Sequence, residues 1–227
     1  MKNVFRLQGE DWVTSPYKRN FDIALTLGVS PVAIPVGLTA LALTRILDGD
    51  DTIFRQTRYG DGRTEGFMVR KITSMRETSE SNGIRVPTPF GAIMRPVAVD
   101  EIPQLINVLE GTMSLVGPRA QTAHVRANMQ AALDRNTYDE WLNAVELSRP
   151  GGFSSFGINI RQPETERGFI TKARMDIVDF NNASLKHDVA IIRRAARTAI
   201  GVLTPDLRRP AEASTALSEI ALQPGVE

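Results

Sequence analysis

From Ile23 to Thr44 the chain carries no charged residue, and Asp22 and Arg45 close the stretch on either side. A helix over that segment is about 33 Å long at 1.5 Å per residue, enough to cross the hydrocarbon core of a bilayer. Two features redirect that first reading. Ser30-Pro31 and then Pro35 fall in its middle, where a proline removes a backbone donor and crowds the preceding turn. Basic residues flank both ends, Lys18 and Arg19 before it and Arg45, Arg55 and Arg58 after it, and basic flanks favour the cytoplasmic side of a membrane. A segment that enters, breaks at Ser30-Pro31 and returns to the same face satisfies both facts. Membrane insertion, re-entrant or spanning, is therefore expected. Two alternatives stay open. A signal peptide could end near Ala40-Leu41-Ala42, although Glu10, Asp11 and the two prolines disfavour it. A buried helical hairpin would carry the same apolar run, because hydropathy alone does not separate core from lipid.

The rest of the chain arranges itself around this segment. Residues 1–17 are polar without a clear period and are expected as a loosely packed N-terminal arm, followed by the membrane segment at 18–48 and a single folded unit at 49–204. Residues 205–227 are polar and rich in small side chains, the composition of a disordered tail. Asp48-Gly49-Asp50-Asp51 marks a turn, and Thr52 to Met75 alternates loosely around Gly60 and Gly62, as short strands or a hairpin would. Glu77 to Pro89 reads as a flexible loop. Ile102, Leu105, Ile106 and Leu109 then recur on one helical stripe, with Asp100 as N-cap, Pro103 in the first turn and Gly111 as the stop. Met113 to Val116 is expected as a strand, and Gly117-Pro118 turns the chain to present Arg119. His124 to Leu147 is helical in tendency and ends at Arg149-Pro150-Gly151-Gly152. Arg174 to Asn181 and Leu185 to Leu203 are further helices. The last carries Val189, Ile192, Ala196 and Ile200 beside Arg193, Arg194 and Arg197, a pattern that fits a helix on anionic lipid and equally one with a core face and a solvated face. The expected class is helix-rich α+β, one unit with a proline-broken re-entrant membrane helix and interfacial amphipathic helices.

Composition narrows the chemistry by exclusion. The chain has no cysteine and only two histidines, His124 and His187, far apart, so disulfides, thiolate catalysis and zinc-like ligand spacings are ruled out. A formal net charge of +1, sparse aromatics and dispersed basic residues argue against a nucleic-acid partner. What remains is carboxylates, cations and hydroxyls, with a hard, oxygen-seeking metal as the fitting ion. Asp100-Glu101 is the focus. An isolated acidic pair is usually a solvated helix start, but here Arg95 precedes it by five residues, Arg119 follows the helix and strand, and Lys71 lies on the strand-like segment before the loop. An anionic nucleophile or metal ligand facing cationic phosphate clamps is what phosphoryl transfer requires.

The same residues carry a family resemblance. Gln56-Thr57-Arg58-Tyr59-Gly60, then Asp100-Glu101-Ile102-Pro103-Gln104-Leu105-Ile106-Asn107-Val108-Leu109-Glu110-Gly111, then Met113-Ser114-Leu115-Val116-Gly117-Pro118-Arg119 resemble the motifs Q-x-R-x-G, D-E-L-P-Q-L-x-N-V-L-x-G and M-S-L-V-G-P-R. These belong to the bacterial sugar transferases, monotopic phosphoglycosyl transferases that prime exopolysaccharide and glycoconjugate synthesis. Lys18-Arg19-x-x-Asp22 and the proline-interrupted segment resemble the family's membrane element. Arg174-Met175-Asp176 and Asp188-Val189-Ala190-Ile191 resemble its closing region more weakly. The resemblance covers residues 18 to 203. It implies transfer of a sugar 1-phosphate from a UDP-sugar to polyprenyl (undecaprenyl) phosphate through a covalent aspartyl-phosphosugar, at the cytoplasmic face of the cytoplasmic membrane. Asp100 would be the nucleophile and a Mg2+ ligand, and Glu101 its acid/base or metal-supporting partner. Lys71, Arg95 and Arg119 would bind phosphate, with Gln56 and Arg58 as binding or fold-holding residues. A homodimer is left open.

The chain departs from the family pattern at three places. K-F-R-T/S-M appears as Lys71-Ile72-Thr73-Ser74-Met75. The R-P-G-I-T-G-x-x-Q region begins Arg149-Pro150-Gly151-Gly152-Phe153-Ser154-Ser155, and Ala120 stands where a proline follows G-P-R. These changes bear on the sugar and nucleotide more than on the chemistry. Arg149 is either a substrate contact or a cation at a helix C-terminus. Two other classes remain open: a non-catalytic membrane-bound scaffold of a glycan assembly complex, and a metal-dependent phosphohydrolase with water as acceptor.

Overall fold

The apolar segment and its polar approach form one helix, α2, from Pro16 to Leu47. In the computed structural model of the chain, residues 9–49, 52–62, 65–77, 85–159 and 165–203 are described. The expected tail at 205–227 and the centre of the expected loop, residues 78–84, lie outside them. Ser15 opens α2, its side chain accepting the Lys18 N–H, with Pro16 in the first turn. Helical structure runs through Ser30-Pro31 and Pro35 without the interruption expected there. Each proline deletes only one N–H, and the Ser30 hydroxyl bonds back to the Thr26 carbonyl at 2.7 Å; hydroxyl back-bonding and local adjustment let apolar helices tolerate proline.

Each end of α2 buries one face, and its middle is largely open. Lys18, Asp22 and Thr26 are buried at one end and Gly37, Ala40 and Thr44 at the other. Leu27, Val29, Val32, Ile34, Val36 and Leu38 between and beside them are exposed. The first turns are fixed by charge. Lys18 Nζ lies 3.1 Å from Asp22 Oδ1 and 2.8 Å from Asp188 Oδ2, with all three side chains buried. Asp22 also accepts the Ser114 hydroxyl at 2.8 Å and the Leu115 N–H at 3.2 Å. The neighbouring Arg19 donates to the carbonyls of Val108 and Leu109, at 2.5 and 2.8 Å. Residues Glu10–Val13, expected within a loose arm, form a one-turn helix, α1. Its Trp12 indole donates to Asp188 at 3.0 Å, so the described part of the arm, from residue 9, is held because an indole N–H meets a buried carboxylate that needs donors; residues 1–8 lie outside the described residues.

Three small two-stranded sheets follow among the described residues. Strands β1 (Ile53–Arg58) and β2 (Phe67–Ile72) form the expected antiparallel hairpin, in register from Ile53↔Ile72 to Arg58↔Phe67. Part of the expected flexible loop is strand: β3 (Met75–Glu77) pairs antiparallel with β4 (Arg85–Pro87). The short helix α3 (Pro89–Met94) follows, capped by Thr88. Helix α4 (Gln104–Glu110) ends at Gly111 with φ 81°, the left-handed stop read from the sequence. Strand β5 (Ser114–Val116) pairs parallel with β6 (Gly151–Phe153). The stretch from 124 to 147, read as one helical segment, is two helices, α5 (Ala123–Ala132) and α6 (Arg135–Leu147). Asp134 divides them because its carboxylate accepts the Thr137 N–H at 3.0 Å and starts a new helix. After β6 come α7 (Ser155–Asn159), α8 (Glu166–Asn181) and α9 (Leu185–Leu203).

The apolar core has three parts. Phe67, Val69, Val108, Met113, Leu115 and Ile191 gather under the hairpin with Leu25 of α2 against them. Met129, Trp141, Val145, Phe169 and Ala173 join α5, α6 and α8. Ala40, Ile72 and Met94 tie the far end of α2 to β2 and α3. Two of the three clusters thus include α2, and the strand ends and turns carrying the site residues lie where they meet.

Candidate active site

Asp100 and Glu101 occupy a tight 3-10 turn, Val99–Glu101, entered through Ala98 at φ 56°. Helix α4 begins only at Gln104, and its N-cap position is Pro103, with no side-chain cap. Asp100 is therefore not the N-cap expected from the sequence: three residues of narrower turn intervene and carry its carboxylate away from the N–H groups of α4. It points instead to the strand end after β2, where Asp100 Oδ2 accepts the Ser74 hydroxyl at 2.9 Å and the residue is 4% exposed. Arg95 Nη1 reaches the same hydroxyl at 3.5 Å. Ser74 is fixed from behind. Its carbonyl accepts the Thr88 N–H at 3.1 Å, and Gly91 packs so close that a Cβ there would lie 2.1 Å from that oxygen.

Glu101 faces the other way. Its Oε1 accepts from Lys71 Nζ at 2.6 Å and from Nη2 of Arg119. Burial opposes charge on Glu101, yet Arg119 and then Lys71 outweigh it and hold the carboxyl at about 2. Burial pulls Lys71 below its ordinary value, with Glu101 opposing. Glu101 is thus ionised at neutral pH and anchors two cations beside Asp100. Arg119, 40% exposed against 21% for Lys71, is the more open of the pair.

Gln56 and Arg58 lie on β1 opposite Val69 and Phe67. Paired residues share a sheet face and alternate residues repeat it, so both lie on the Lys71 face of the hairpin. Arg58 Nη1 also donates to the Ala120 carbonyl at 3.3 Å, next to Arg119. The fold thus brings Asp100, Glu101, Lys71, Arg95 and Arg119 together, adds Arg58 at one remove, and places Gln56 on the shared face. Arg149 instead borders a small cavity with Lys18, Ser114 and Ser148. Ser74 was missed, although it stands three residues after Lys71 in the very segment singled out. Asp48 was read only as a turn residue. It is buried and takes the Thr88 hydroxyl, joining the end of α2 to the start of α3.

Among the described residues no group of three or more His, Cys, Asp or Glu side chains could hold a metal by itself. One free-standing carboxylate beside a hydroxyl does fit magnesium, which is often bound through one or two carboxylates, water and the phosphates of a substrate.

The family model for bacterial sugar transferases matches residues 13–202. The exopolysaccharide production protein PSS of Rhizobium leguminosarum bv. phaseoli is 32% identical over 185 residues, covering 77% of this chain and 90% of that protein. The UDP-glucose:undecaprenyl-phosphate glucose-1-phosphate transferase of Caulobacter vibrioides is 36% identical over 115 residues, 47% of this chain and 43% of that one. The UDP-N-acetylgalactosamine-undecaprenyl-phosphate N-acetylgalactosaminephosphotransferase of Aeromonas hydrophila is 33% identical over 111 residues, 46% of this chain and 26% of its own length. The matched region thus spans nearly all of the Rhizobium protein and less than half of the other two.

Proposed function

The chain belongs to the bacterial sugar transferase family, and we propose on that footing that it moves a sugar 1-phosphate from a UDP-sugar to undecaprenyl phosphate in two steps. The observation that carries this reading is the placement of Asp100: a buried carboxylate with one oxygen held by Ser74 and cations on both sides. In the first step Asp100 Oδ1 attacks the phosphorus that bears the sugar. A P–O bond forms, the bond to the uridylate oxygen breaks, and UMP leaves with the electron pair. In the second step an oxygen of undecaprenyl phosphate attacks the same phosphorus and the Asp100 carboxylate is expelled. Splitting the transfer avoids assembling donor, acceptor and catalyst at one moment.

Each neighbour has a separate task. The Ser74 hydroxyl holds Oδ2 and leaves Oδ1 to attack. Arg95 and Arg119 neutralise the diphosphate as charge redistributes. Glu101, ionised and paired, positions Lys71 and Arg119; a carboxyl held at about 2 is not a proton donor at neutral pH. Magnesium on Asp100 would supply further charge screening to the diphosphate.

We place the protein on the cytoplasmic face of a membrane, anchored by α2 as a re-entrant element. Only 17% of the most apolar window of α2 is buried, unlike a soluble core helix. Both ends of α2 pack on the body while Leu27 to Val36 are largely exposed, which supports an element that returns to the face it enters rather than one leaving the body behind. The test is UMP release from a panel of UDP-sugars with magnesium, with and without undecaprenyl phosphate. Lipid-dependent release, lost in Asp100→Asn with folding unchanged, is the expected result. Release of free sugar phosphate without lipid would favour a phosphohydrolase, and normal turnover in Asp100→Asn would overturn the nucleophile.

A further inference from the structure

Behind Ser74 a line of buried polar groups runs to the C-terminal end of α2. Asp48 caps that helix, its N–H bonded to the Thr44 carbonyl at 2.9 Å. Its carboxylate accepts the Thr88 hydroxyl and, at 3.4 Å, the Phe90 N–H. Thr88 donates its own N–H to the Ser74 carbonyl at 3.1 Å, and Ser74 donates its hydroxyl to Asp100 at 2.9 Å. From Asp48 through Thr88 and Ser74 to Asp100 the residues are 8%, 0%, 6% and 4% exposed. Two further bonds stiffen the line. Thr88 Oγ1 accepts the Gly91 N–H at 2.9 Å and so caps α3, and Arg76 of β3 donates to the Asp48 carbonyl.

We infer that Thr88 is a positioning residue for the transfer: bonded to Asp48 on one side and to Ser74 on the other, it fixes the attacking carboxylate of Asp100 relative to the end of α2. The inference rests on the proposed transferase reaction, with Asp100 as its nucleophile. Thr88 is fully buried and touches no substrate, so it acts only through Ser74. A broken link in such a line is not made good by water, because the groups are out of its reach. The demand on alignment is steep, since misplacing a reacting group by about 1 Å costs about 100-fold in rate. Capping of α3 is a second role for the same hydroxyl, and the two roles separate. Asp48→Ala leaves the cap to Gly91 in place and cuts only the link to α2.

The measurement is pre-steady-state UMP release by the full-length protein with a UDP-sugar and magnesium, without lipid acceptor, alongside thermal melts. The amplitude of the first turnover counts folded sites, whereas its rate constant reports how well Asp100 is aligned. Thr88→Val and Asp48→Ala should each lower that rate constant about tenfold or more, with its dependence on UDP-sugar concentration unchanged. Thr88→Ser keeps the hydroxyl and should keep the wild-type rate constant. Thr165 caps α8 as Thr88 caps α3, accepting the Gly168 N–H at 3.2 Å, so Thr165→Val should lower the melting temperature and leave the rate constant alone. Variants at Thr88 and Asp48 that lose only amplitude or melting temperature overturn the positioning role and leave the transferase reading intact. A rate lost in Thr88→Val but kept in Asp48→Ala overturns it too, reducing Thr88 to a helix cap. A wild-type protein that shows no first-turnover release from any donor overturns the covalent reading and the positioning role with it.

Discussion

Glu101→Gln should separate the electrostatic part of the site from its shape. The wild-type carboxyl is held at about 2 against an ordinary 4.5, so the folded state releases this proton more readily than the unfolded chain. A carboxyl depressed in this way stabilises the fold above its unfolded value, and the contribution is lost as pH falls through the folded one. At neutral pH the difference of about 2.5 units corresponds to about 3 kcal/mol. Linkage leaves less than half of that at pH 3. Glutamine keeps the shape and cannot titrate, and every other acid titrates in both proteins. The gap in stability between wild type and Glu101→Gln should therefore narrow by about 2 kcal/mol between pH 7 and pH 3. At about 2–4 °C per kcal/mol for a chain of this size, the melting-temperature gap should close by about 4–8 °C. The assay is thermal unfolding of both proteins in the same detergent across that range. A gap constant to within about 1 °C would mean that Glu101 does not sit ionised between Lys71 and Arg119, and the anchoring role given to it would be wrong.

Other substitutions test other joints. Gly91→Ala drives a Cβ against the Ser74 carbonyl and should cost about 2 kcal/mol or more in a thermal melt through overpacking, with turnover falling further than stability as Ser74 is displaced from Asp100. Lys18→Met leaves Asp22 and Asp188 buried without their shared cation and should destabilise by about 3–5 kcal/mol, read as a lower melting temperature or loss of soluble expression in detergent. The Asp179 hydrogen bond raises the His187 pKa against the opposing effect of burial. The stabilisation from that pair is present below the unfolded histidine value of about 6.5 and lost as pH rises through the folded one. His187→Gln should therefore cost more at pH 6 than at pH 9, and an equal cost at both would refute the charged pair.

The cluster proposed as the site was legible where residue type carries charge, and the fold where turn residues are strong. Asp100, Glu101, Lys71, Arg95 and Arg119 were all named from charge and spacing, and the hairpin and the Gly111 stop from glycine positions. Ser74 was not, although the hydroxyl position of K-F-R-T/S-M falls on it, because its partner emerges only when folding sets it against Asp100. The N-cap assigned to Asp100 failed because helix-start statistics do not distinguish α-helix from a preceding 3-10 turn when Pro103 can open the helix itself. Asp134 was overlooked as a divider since the apolar period continues across it. The interruption expected at Ser30-Pro31 weighed the lost N–H groups alone, whereas the helix continues from Pro16 to Leu47 through both prolines. The hold on the N-terminal arm needed knowledge of Asp188, 176 residues from Trp12, which local pattern cannot supply.

Lys18, Arg19 and Asp22 fasten the first turns of α2 to α9, to the end of α4 and to β5. A fastened root has a mechanical consequence once α2 lies in a bilayer. The body cannot swing on its anchor, so the height of Asp100 relative to the lipid headgroups becomes a property of the fold. On the transferase reading proposed above, a lipid-borne acceptor would reach the site by diffusion in a plane, its phosphate at a fixed altitude. That anchoring would make the seating of α2 in the membrane, as much as substrate abundance, decide how often the two reacting groups meet.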